Sequence, residues 1–388
     1  MRHFVAGNRV TLLTTGAEFF PALLADIQTA RQEILLETYI FRVDVSTEPV
    51  VLALIAAAER GVSVRILVDG FGSRDFPPDW LGCLQAAGVD FRFFRQARHW
   101  IIPRRNRLRR LHRKLAVIDG RWAYAGGINL HDDCDNALPG YAPRYDYAVR
   151  VEGPLVDAVS LTMRKLWRQL AALHGNGWPV LAGPRSNPRP VGVMAARLVV
   201  RDNLRHRLSI ENEYLRQCHL ARHEILIANA YFLPGIRLRR AMIQAVERGV
   251  RVRLLLQGRP DHPVMQWATR SLYGQFLRAG IEIHEYRAGH MHAKVAVVDT
   301  RWATVGSSNI DPFSLGLARE ANVVVDHYPF ARELQSSILK RLREDSLRIL
   351  PQMVVRARWW EKWIAWTCYG IARFAINLAG LGEYYSKE

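Results

Sequence analysis

Two stretches of the sequence, far apart along the chain, carry the same set of chemically active side chains. Residues 111–129 read LHRKLAVIDGRWAYAGGIN, and residues 291–309 read MHAKVAVVDTRWATVGSSN. Both contain His-x-Lys, four residues, Asp, six residues, and then Gly-x-x-Asn. The first copy supplies His112, Lys114, Asp119, Gly126 and Asn129, and the second supplies His292, Lys294, Asp299, Gly306 and Asn309. The repetition of the whole spacing indicates a functional site, whereas one His-x-Lys alone would indicate nothing.

An imidazole beside a fixed positive charge is suited to phosphoryl transfer. Residues i and i+2 of a strand point to the same face, so each histidine projects together with its lysine. If the two copies meet, one imidazole attacks phosphorus while the other protonates the leaving oxygen. Lys114, Lys294, Asn129 and Asn309 would hold the non-bridging oxygens. The lysines supply the positive charge, so we expect no metal and no cofactor. A coupled pair of histidines can hold one neutral and one protonated ring near neutral pH.

Each histidine also needs a carboxylate that fixes its tautomer and orientation. Asp146 lies just before an apolar run in APRYDYAVRVEG, and Glu320 lies at the equivalent place in SLGLAREANVVV. We therefore assign Asp146 to His112 and Glu320 to His292. The alternative for both acids is a solvated loop position.

An aspartate ends the apolar run in each of the two repeated segments. Asp119 and Asp299 each stand before a tight turn, so we expect them to hydrogen-bond that turn and brace the site rather than transfer protons. The glycine-containing turns AGGIN and GSSNI follow, and they would let backbone amides approach a ligand closely.

The elements that must position these residues also occur twice. Three pairs of segments resemble one another in the same order, with nearly constant offset. They are ILLETYIF (34–41) and ILIANAYF (225–232), GVSVRILVDG (61–70) and GVRVRLLLQG (249–258), and AGVDFRFFR (87–95) and AGIEIHEYR (279–287). The chain therefore consists of two copies of one unit.

Within each copy, short Val, Ile and Leu runs alternate with amphipathic segments. PALLADIQTARQ and PVVLALIAAAERG have helical spacing, with Gly61 as a stop signal, and GIRLRRAMIQAVERG repeats the second. Alternating strands and helices predict an α/β unit with a mostly parallel sheet buried on both faces. The Pro- and Gly-rich segment 181–192 is typical of a linker. We place an N-terminal half at 1–187, a C-terminal half at 188–350 and a tail at 351–388.

The composition favours an anionic partner. The 388 residues include 54 Lys+Arg against 36 Asp+Glu, a formal charge of +18. Such a chain is attracted to nucleic acid or to an anionic membrane surface, and charge alone does not distinguish them. The four cysteines have no metal-binding spacing, which favours free thiols in a reducing compartment. The N-terminal MRHFVAGNRV lacks the apolar core of a signal peptide.

The doubled His-x-Lys and Asp pattern resembles the HKD motif of the phospholipase D superfamily, over roughly residues 8–345. The resemblance implies two α/β halves with mixed sheets flanked by helices and one active site at their interface. It also implies a covalent phosphohistidine intermediate without a metal. By this analogy His112 is the favoured nucleophile and His292 the general acid and then base, although the sequence does not fix that order.

Within the superfamily, the chain is most similar to bacterial cardiolipin synthases, particularly the shorter B type. The endings GGIN and GSSNIDPFSL, the compact length and the position of Glu37 carry this similarity. The similarity implies that Glu37 contacts substrate. It also implies that one phosphatidylglycerol gives its phosphatidyl group to histidine, and that a second lipid's glycerol hydroxyl then accepts it. Water as acceptor would give phosphatidic acid, so water must be excluded.

Two segments are predicted to meet the membrane. The insert 95–114 combines eight arginines with an apolar WII, which suits a loop that contacts anionic headgroups or, alternatively, a solvated basic loop. In the tail, Trp359, Trp363, Trp366 and Phe374 fall on one helical face. We favour an interfacial amphipathic helix, with packing on the protein's own core or a true membrane span as alternatives.

The leading hypothesis is a phosphatidyltransferase bound peripherally to a bacterial inner membrane, on its cytoplasmic side. A nuclease or phosphodiesterase remains an alternative because of the basic charge, although the Trp-rich tail argues against nucleic acid as the partner. A phospholipase D hydrolase is a second alternative. A lipid-binding protein without catalysis is disfavoured because both catalytic sets are intact. The sequence does not indicate an oligomeric state.

Overall fold

The computed structural model describes residues 3–95, 109–134, 141–173, 189–202, 206–259, 263–311, 318–356 and 358–378. The predicted boundary near residue 188 and most of the basic insert lie outside these residues. The first half contains, in chain order, β1 (Val5–Thr14), α1 (Thr15–Thr29), β2 (Glu33–Thr38), α2 (Glu48–Glu59), β3 (Ser63–Asp69), α3 (Pro78–Ala86), β4 (Asp90–Phe94), β5 (Arg110–Leu111), β6 (Lys114–Ile118), β7 (Trp122–Gly126), β8 (Ala142–Tyr145), β9 (Tyr147–Glu152) and α4 (Leu155–Leu173). The second half and tail contain β10 (Met194–Arg201), α5 (Ser209–Leu220), β11 (Glu224–Asn229), α6 (Ile236–Glu247), β12 (Arg251–Gln257), α7 (Pro263–Arg270), α8 (Tyr273–Arg278), β13 (Glu282–Tyr286), β14 (Gly289–Met291), β15 (Lys294–Val298), β16 (Trp302–Gly306), β17 (Ala318–Asp326), α9 (Tyr328–Glu344), β18 (Ser346–Ile349), α10 (Pro351–Val355) and α11 (Trp359–Leu378).

One long sheet runs through both halves. Its order is β4-β3-β2-β6-β7-β9-β1-β10-β17-β16-β15-β11-β12-β13-β18. The strands β1 and β10 pair antiparallel at the centre, with Val5 opposite Ala196. Read outward from this pair, the strand order is the same on both sides, except that β18 adds one strand at the outer edge of the second half. A duplicated unit produces this arrangement around a pseudo-twofold axis.

Each half has the mixed sheet that the predicted fold class requires. β2, β3 and β4 pair in parallel, whereas β6, β7 and β9 pair antiparallel. The expectation of a mostly parallel sheet is therefore wrong. The reason is that β6 and β7 are joined directly by the tight turn after Asp119, and a tight turn can join only antiparallel strands.

The predicted helices are confirmed in both halves. α2 and α6 end just before Gly61 and Gly249, which have φ values of +87° and +88°. Glycine adopts this left-handed conformation without steric cost, so it ends each helix and turns the chain into the next strand.

A shared hydrophobic core fixes the two halves against each other. It contains Val10 and Val149 from the first half together with Val323 and Leu334 from the second, all almost completely buried. Two further cores lie on the outer sides, one for each half. Because the central core is packed from both halves, side chains at the interface are held in a fixed relative geometry.

The tail helix α11 lies against α7 of the second half. Its predicted aromatic face is exposed: Trp359 is 80% exposed, and Trp363, Trp366 and Phe374 are also exposed. We call these four residues the aromatic stripe. Within the described part of the chain, no helix combines the length and the hydropathy needed to cross a bilayer.

Candidate active site

Both histidines lie at short breaks between strands on the same interface. His112 lies between β5 and β6, and His292 lies between β14 and β15. The backbone N–H of His112 donates to the carbonyl of Arg319 at 3.0 Å, and that of His292 donates to the carbonyl of Tyr145 at 2.8 Å. Each histidine is therefore attached by its backbone to a strand of the opposite half.

The orienting carboxylates are exchanged between the halves. His112 Nδ1 lies 2.9 Å from Glu320 Oε1, and His292 Nδ1 lies 2.7 Å from Asp146 Oδ2. The sequence correctly singled out both acids, but the predicted assignment of Asp146 to His112 and Glu320 to His292 is wrong.

The strand pairing explains the exchange. β5 pairs in parallel with the start of β17, which places Leu111 opposite Arg319, directly before Glu320. β14 pairs in the same way with β8, which ends directly before Asp146. Position within one repeat does not reveal such a pairing across the interface.

The Nδ1 contacts determine the chemistry of both rings. When Nδ1–H donates to a carboxylate, Nε2 is left as the atom that faces a substrate. The side chains of His112 and His292 are 15% and 11% exposed, so both rings are largely shielded from solvent. The two His–carboxylate contacts therefore have the geometry expected of a single active site with two oriented imidazoles.

Burial also controls the protonation of the pair. It lowers the pKa of His112, and Glu320 opposes that shift. Burial and the cations Lys294 and Arg144 lower the pKa of His292 well below its usual value. The protein's own groups thus favour two neutral rings, and the expected protonated ring requires the negative charge that a phosphodiester would bring.

The two lysines lie beside the histidines as predicted. Lys114 Nζ donates to the His112 carbonyl at 2.7 Å, and Lys294 Nζ donates to the His292 carbonyl. Lys294 Nζ also lies 3.6 Å from Asp146 Oδ2. Burial lowers the pKa of Lys114 to about 7 and that of Lys294 to about 8, although the carboxylates Glu320 and Asp146 oppose these shifts. Both amines therefore titrate near neutral pH. An anion bound beside them would favour their protonated, charged forms.

The two asparagines differ in their surroundings. Asn129 Oδ1 accepts from the Ile40 amide at 3.2 Å. Asn309 is buried, and its Oδ1 has no hydrogen-bond partner among the described residues. Their proposed contacts with the non-bridging oxygens stay a prediction.

Glu37 does not reach the site. Its carboxylate accepts from Arg113 Nε at 2.5 Å and from a terminal guanidinium nitrogen of the same arginine at 3.0 Å, and both side chains are buried. The expected contact with substrate is therefore wrong. Because Arg113 stands between His112 and Lys114, this ion pair holds the backbone of the His-x-Lys segment from its other side.

Asp119 and Asp299 brace the fold at the far ends of β6 and β15. The Asp119 carboxylate accepts from three consecutive amides, those of Arg31, Gln32 and Glu33, at 2.8–2.9 Å. Asp299 accepts in the same way from the three amides that begin at Arg222. Four residues of strand lie between each aspartate and its lysine, which places their Cα atoms about 16 Å apart. The partners are the amides that precede β2 and β11, so the expected hydrogen bonds to the turn after each aspartate are wrong. That these carboxylates brace the catalytic strand rather than transfer protons stays a prediction.

A glycine and a serine distinguish the two halves at the site, and the sequence analysis did not single them out. Ser307 Oγ donates to Glu320 Oε2 at 2.5 Å. Gly127 holds the equivalent place, where a Cβ atom would clash with both Asp146 carboxylate oxygens. Comparing GGIN with GSSN could have revealed this difference.

A second matched pair holds the backbone just before each histidine. Asp69 Oδ2 accepts from the Leu111 amide at 2.7 Å, and Gln257 Oε1 accepts from the Met291 amide at 3.0 Å. Asp69 and Gln257 occupy equivalent places in LVDG and LLQG, so aligning the repeats could have identified them. Both are positioning residues, because they act on the histidines through the backbone.

Comparison with known proteins agrees with this geometry. The family described as "Cardiolipin synthase, PLD-like domain" matches residues 23–137 and 214–342. The chain is 40% identical to cardiolipin synthase B of Escherichia coli (strain K12) over 92% of this chain and 85% of that protein. The chain belongs to the phospholipase D-like cardiolipin synthase family. It is also 32% identical to the major cardiolipin synthase of Bacillus subtilis (strain 168), over 87% of this chain and 70% of that protein.

Solved structures confirm the fold of this cardiolipin synthase family member. Phosphatidylserine synthase of Haemophilus influenzae Rd KW20 matches with a TM-score of 0.68 over 98% of this chain and 97% of that chain, at 14% identity. Polyphosphate kinase of Porphyromonas gingivalis matches with a TM-score of 0.57 over 89% of this chain and 49% of that chain, at 16% identity. At these identities the matches show a common fold, and the predicted fold class is confirmed.

Proposed function

We propose that the protein is a cardiolipin synthase that transfers the phosphatidyl group of one phosphatidylglycerol to a second and releases glycerol. The observation that supports this most is the crossed pair of His–carboxylate contacts, which brings two imidazoles and two buried lysines to one interface. The family membership supports the choice of a phospholipid substrate.

In the first step, Nε2 of His112 attacks the phosphorus of phosphatidylglycerol and forms a P–N bond. The bond from phosphorus to the headgroup glycerol oxygen breaks, and the protonated His292 gives its proton to that oxygen. Burial and then the neighbouring cations lower the pKa of His292, so its imidazolium gives up this proton readily. Lys114 and Lys294 stabilise the charge on the non-bridging oxygens.

In the second step, His292 takes a proton from the headgroup hydroxyl of another phosphatidylglycerol. The oxygen attacks phosphorus, the P–N bond to His112 breaks, and cardiolipin leaves. His112 is again neutral and His292 is again protonated, so the cycle closes. The low exposure of both rings disfavours water as the acceptor and thus phospholipase D hydrolysis.

Turnover assays test the function. Purified protein is incubated with phosphatidylglycerol micelles and, separately, with plasmid DNA, and the products are separated by chromatography and gel electrophoresis. We expect cardiolipin and glycerol, with little phosphatidic acid and no nicked DNA. His112→Ala and His292→Ala should abolish turnover, while His223→Ala, which changes an exposed histidine away from the site, should not. Nicked DNA without cardiolipin would instead identify a nuclease.

The order of the two histidines is tested with a phosphatidyl ester of p-nitrophenol, whose leaving group needs no protonation. His292→Ala should then release one equivalent of p-nitrophenol and retain the phosphatidyl group on His112, detected by mass spectrometry. His112→Ala should give no such release. The reverse pattern would assign the nucleophile to His292.

The aromatic stripe supports peripheral binding to a membrane surface, with residues 351–388 as the associated segment. Aromatic side chains with polar edges favour the interfacial region of a bilayer. We place the protein on the cytoplasmic side of a bacterial inner membrane, with the catalytic halves at 1–187 and 188–350. Replacing Trp359, Trp363 and Trp366 together by Ala should reduce co-sedimentation with phosphatidylglycerol vesicles.

The matched control replaces three apolar residues that are exposed elsewhere on the surface, Val45, Leu52 and Leu161. Their replacement by Ala should leave vesicle binding unchanged. Equal vesicle binding by the two triple variants would show that the aromatic stripe is not the membrane contact.

A further inference from the structure

A cavity of about 940 Å³ lies beneath the tail helix, and neither catalytic histidine lines it. Its walls come from α6, α7, α8, α10, α11 and the ends of β13 and β18. We propose that this cavity binds one molecule of an anionic phospholipid, in addition to the lipid at the catalytic pair. The inference rests on the proposed function only for the identity of the lipid, because the lining itself calls for an anionic amphiphile.

The charge of the lining favours a phosphate. Four arginines, Arg239, Arg270, Arg278 and Arg287, line the cavity with two glutamates, Glu285 and Glu361. Glu285 is 1% exposed and binds Arg270 at 3.0 and 3.1 Å and Arg287 at 2.5 Å. Glu285 therefore offsets one of these two positive charges and occupies both guanidinium groups.

The other two arginines are available to a ligand. Arg239 donates to the neutral amide of Gln275 at 3.1 Å, and its buried Nε–H has no acceptor among the described residues. Arg278 is exposed at the rim, next to Gly274. A buried guanidinium donor without a partner costs free energy, and a phosphate oxygen would remove that cost.

The remaining lining favours a hydrocarbon chain. Trp267, Met353, Val354 and Trp366 contribute apolar surface. Among the described side chains of α11, Ala365 alone is buried, while Cys368 and Tyr369 pack partly against the core of the second half. The cavity lies beside these contacts. An acyl chain that fills this space would remove apolar surface from water, and the volume is that of a typical ligand pocket.

The location also fits a lipid. Trp366 belongs both to the cavity wall and to the aromatic stripe, so the cavity opens beside the proposed membrane contact. Arg287 precedes His292 by five residues, which span at most about 17 Å of extended chain. A lipid held here would lie between the bilayer and the catalytic site.

Lipid binding is measured on the full chain in a His112→Ala background, so that no lipid is consumed. The probe is dioleoyl phosphatidylglycerol in micelles, and native mass spectrometry counts the lipids retained. We expect two retained lipids, and one after Arg239→Gln with Arg278→Gln. Gly274→Leu, which extends a side chain into the cavity from a site with no atom closer than 3.4 Å to a built Cβ, should also leave one.

The matched control is Arg31→Gln with Arg222→Gln, which removes the same net charge from exposed sites at the distant ends of β2 and β11. It should retain two lipids. Equal retention by the cavity variants and this control would overturn the inference, as would equal retention of phosphatidylcholine. Two bound lipids in a protein whose active form makes no cardiolipin would refute the proposed function and leave this inference standing.

Discussion

The crossed pairing of acids and histidines gives the sharpest prediction. Glu320→Gln keeps the size of the side chain but removes the negative charge beside His112 Nδ1, which lies 2.9 Å from Oε1. The structure predicts that this change acts on His112 and leaves His292 almost unaffected. Asp146→Asn should do the opposite.

The size of the effect follows from the distance. Charge centres about 4 Å apart interact by about 4 kcal/mol at an effective dielectric constant of about 20. This interaction favours the imidazolium of His112, so its loss should lower the already depressed pKa of that ring further. The corresponding loss in kcat is about 10³- to 10⁴-fold, because the ring also loses the partner that fixes its tautomer.

The assay is a pH titration of ¹³C-labelled histidine by NMR, together with kcat for cardiolipin formation. The His112 and His292 resonances are assigned from the two single alanine variants. In Glu320→Gln, the His112 resonance should move and its titration should shift to lower pH. A shift of the His292 resonance instead, with His112 unchanged, would refute the crossed pairing.

Three further predictions concern the supports of the site. Gly127→Ala should abolish cardiolipin formation while the melting temperature changes little, because the new Cβ displaces the orienting carboxylate of the first half; near-normal kcat would contradict this. Asp69→Ala should lower kcat by about 10²-fold with little change in KM, since His112 loses its fixed position. Asp69→Asn should recover most of the rate, because the side-chain amide of Gln257 accepts the equivalent hydrogen bond in the second half. Burial lowers the pKa of Lys294 to about 8, so raising the pH through that value removes its positive charge. The KM for phosphatidylglycerol should then rise, which initial rates at constant ionic strength would show. A KM that does not change with pH would mean that this lysine does not hold the phosphate.

The sequence by itself determined the duplicated α/β architecture and the identity of the reacting side chains. The His-x-Lys spacing, the two lysines and the two orienting acids were all visible, because a repeat displays its shared residues twice. Helix ends such as Gly61 were also predictable, since they depend on local backbone preference. A bracing role for Asp119 was also predicted, but its partners, the amides of residues 31–33, are distant in the chain and were not.

Only the tertiary structure decided which acid serves which histidine, and that Glu37 pairs with Arg113 instead of substrate. Both facts depend on contacts between segments that are distant in the chain, such as β5 with β17. A pattern within one repeat specifies which face of a strand a residue occupies, but not which strand of the other half lies against that face. The packing of the shared core sets that choice, because it fixes the two halves in a single relative orientation.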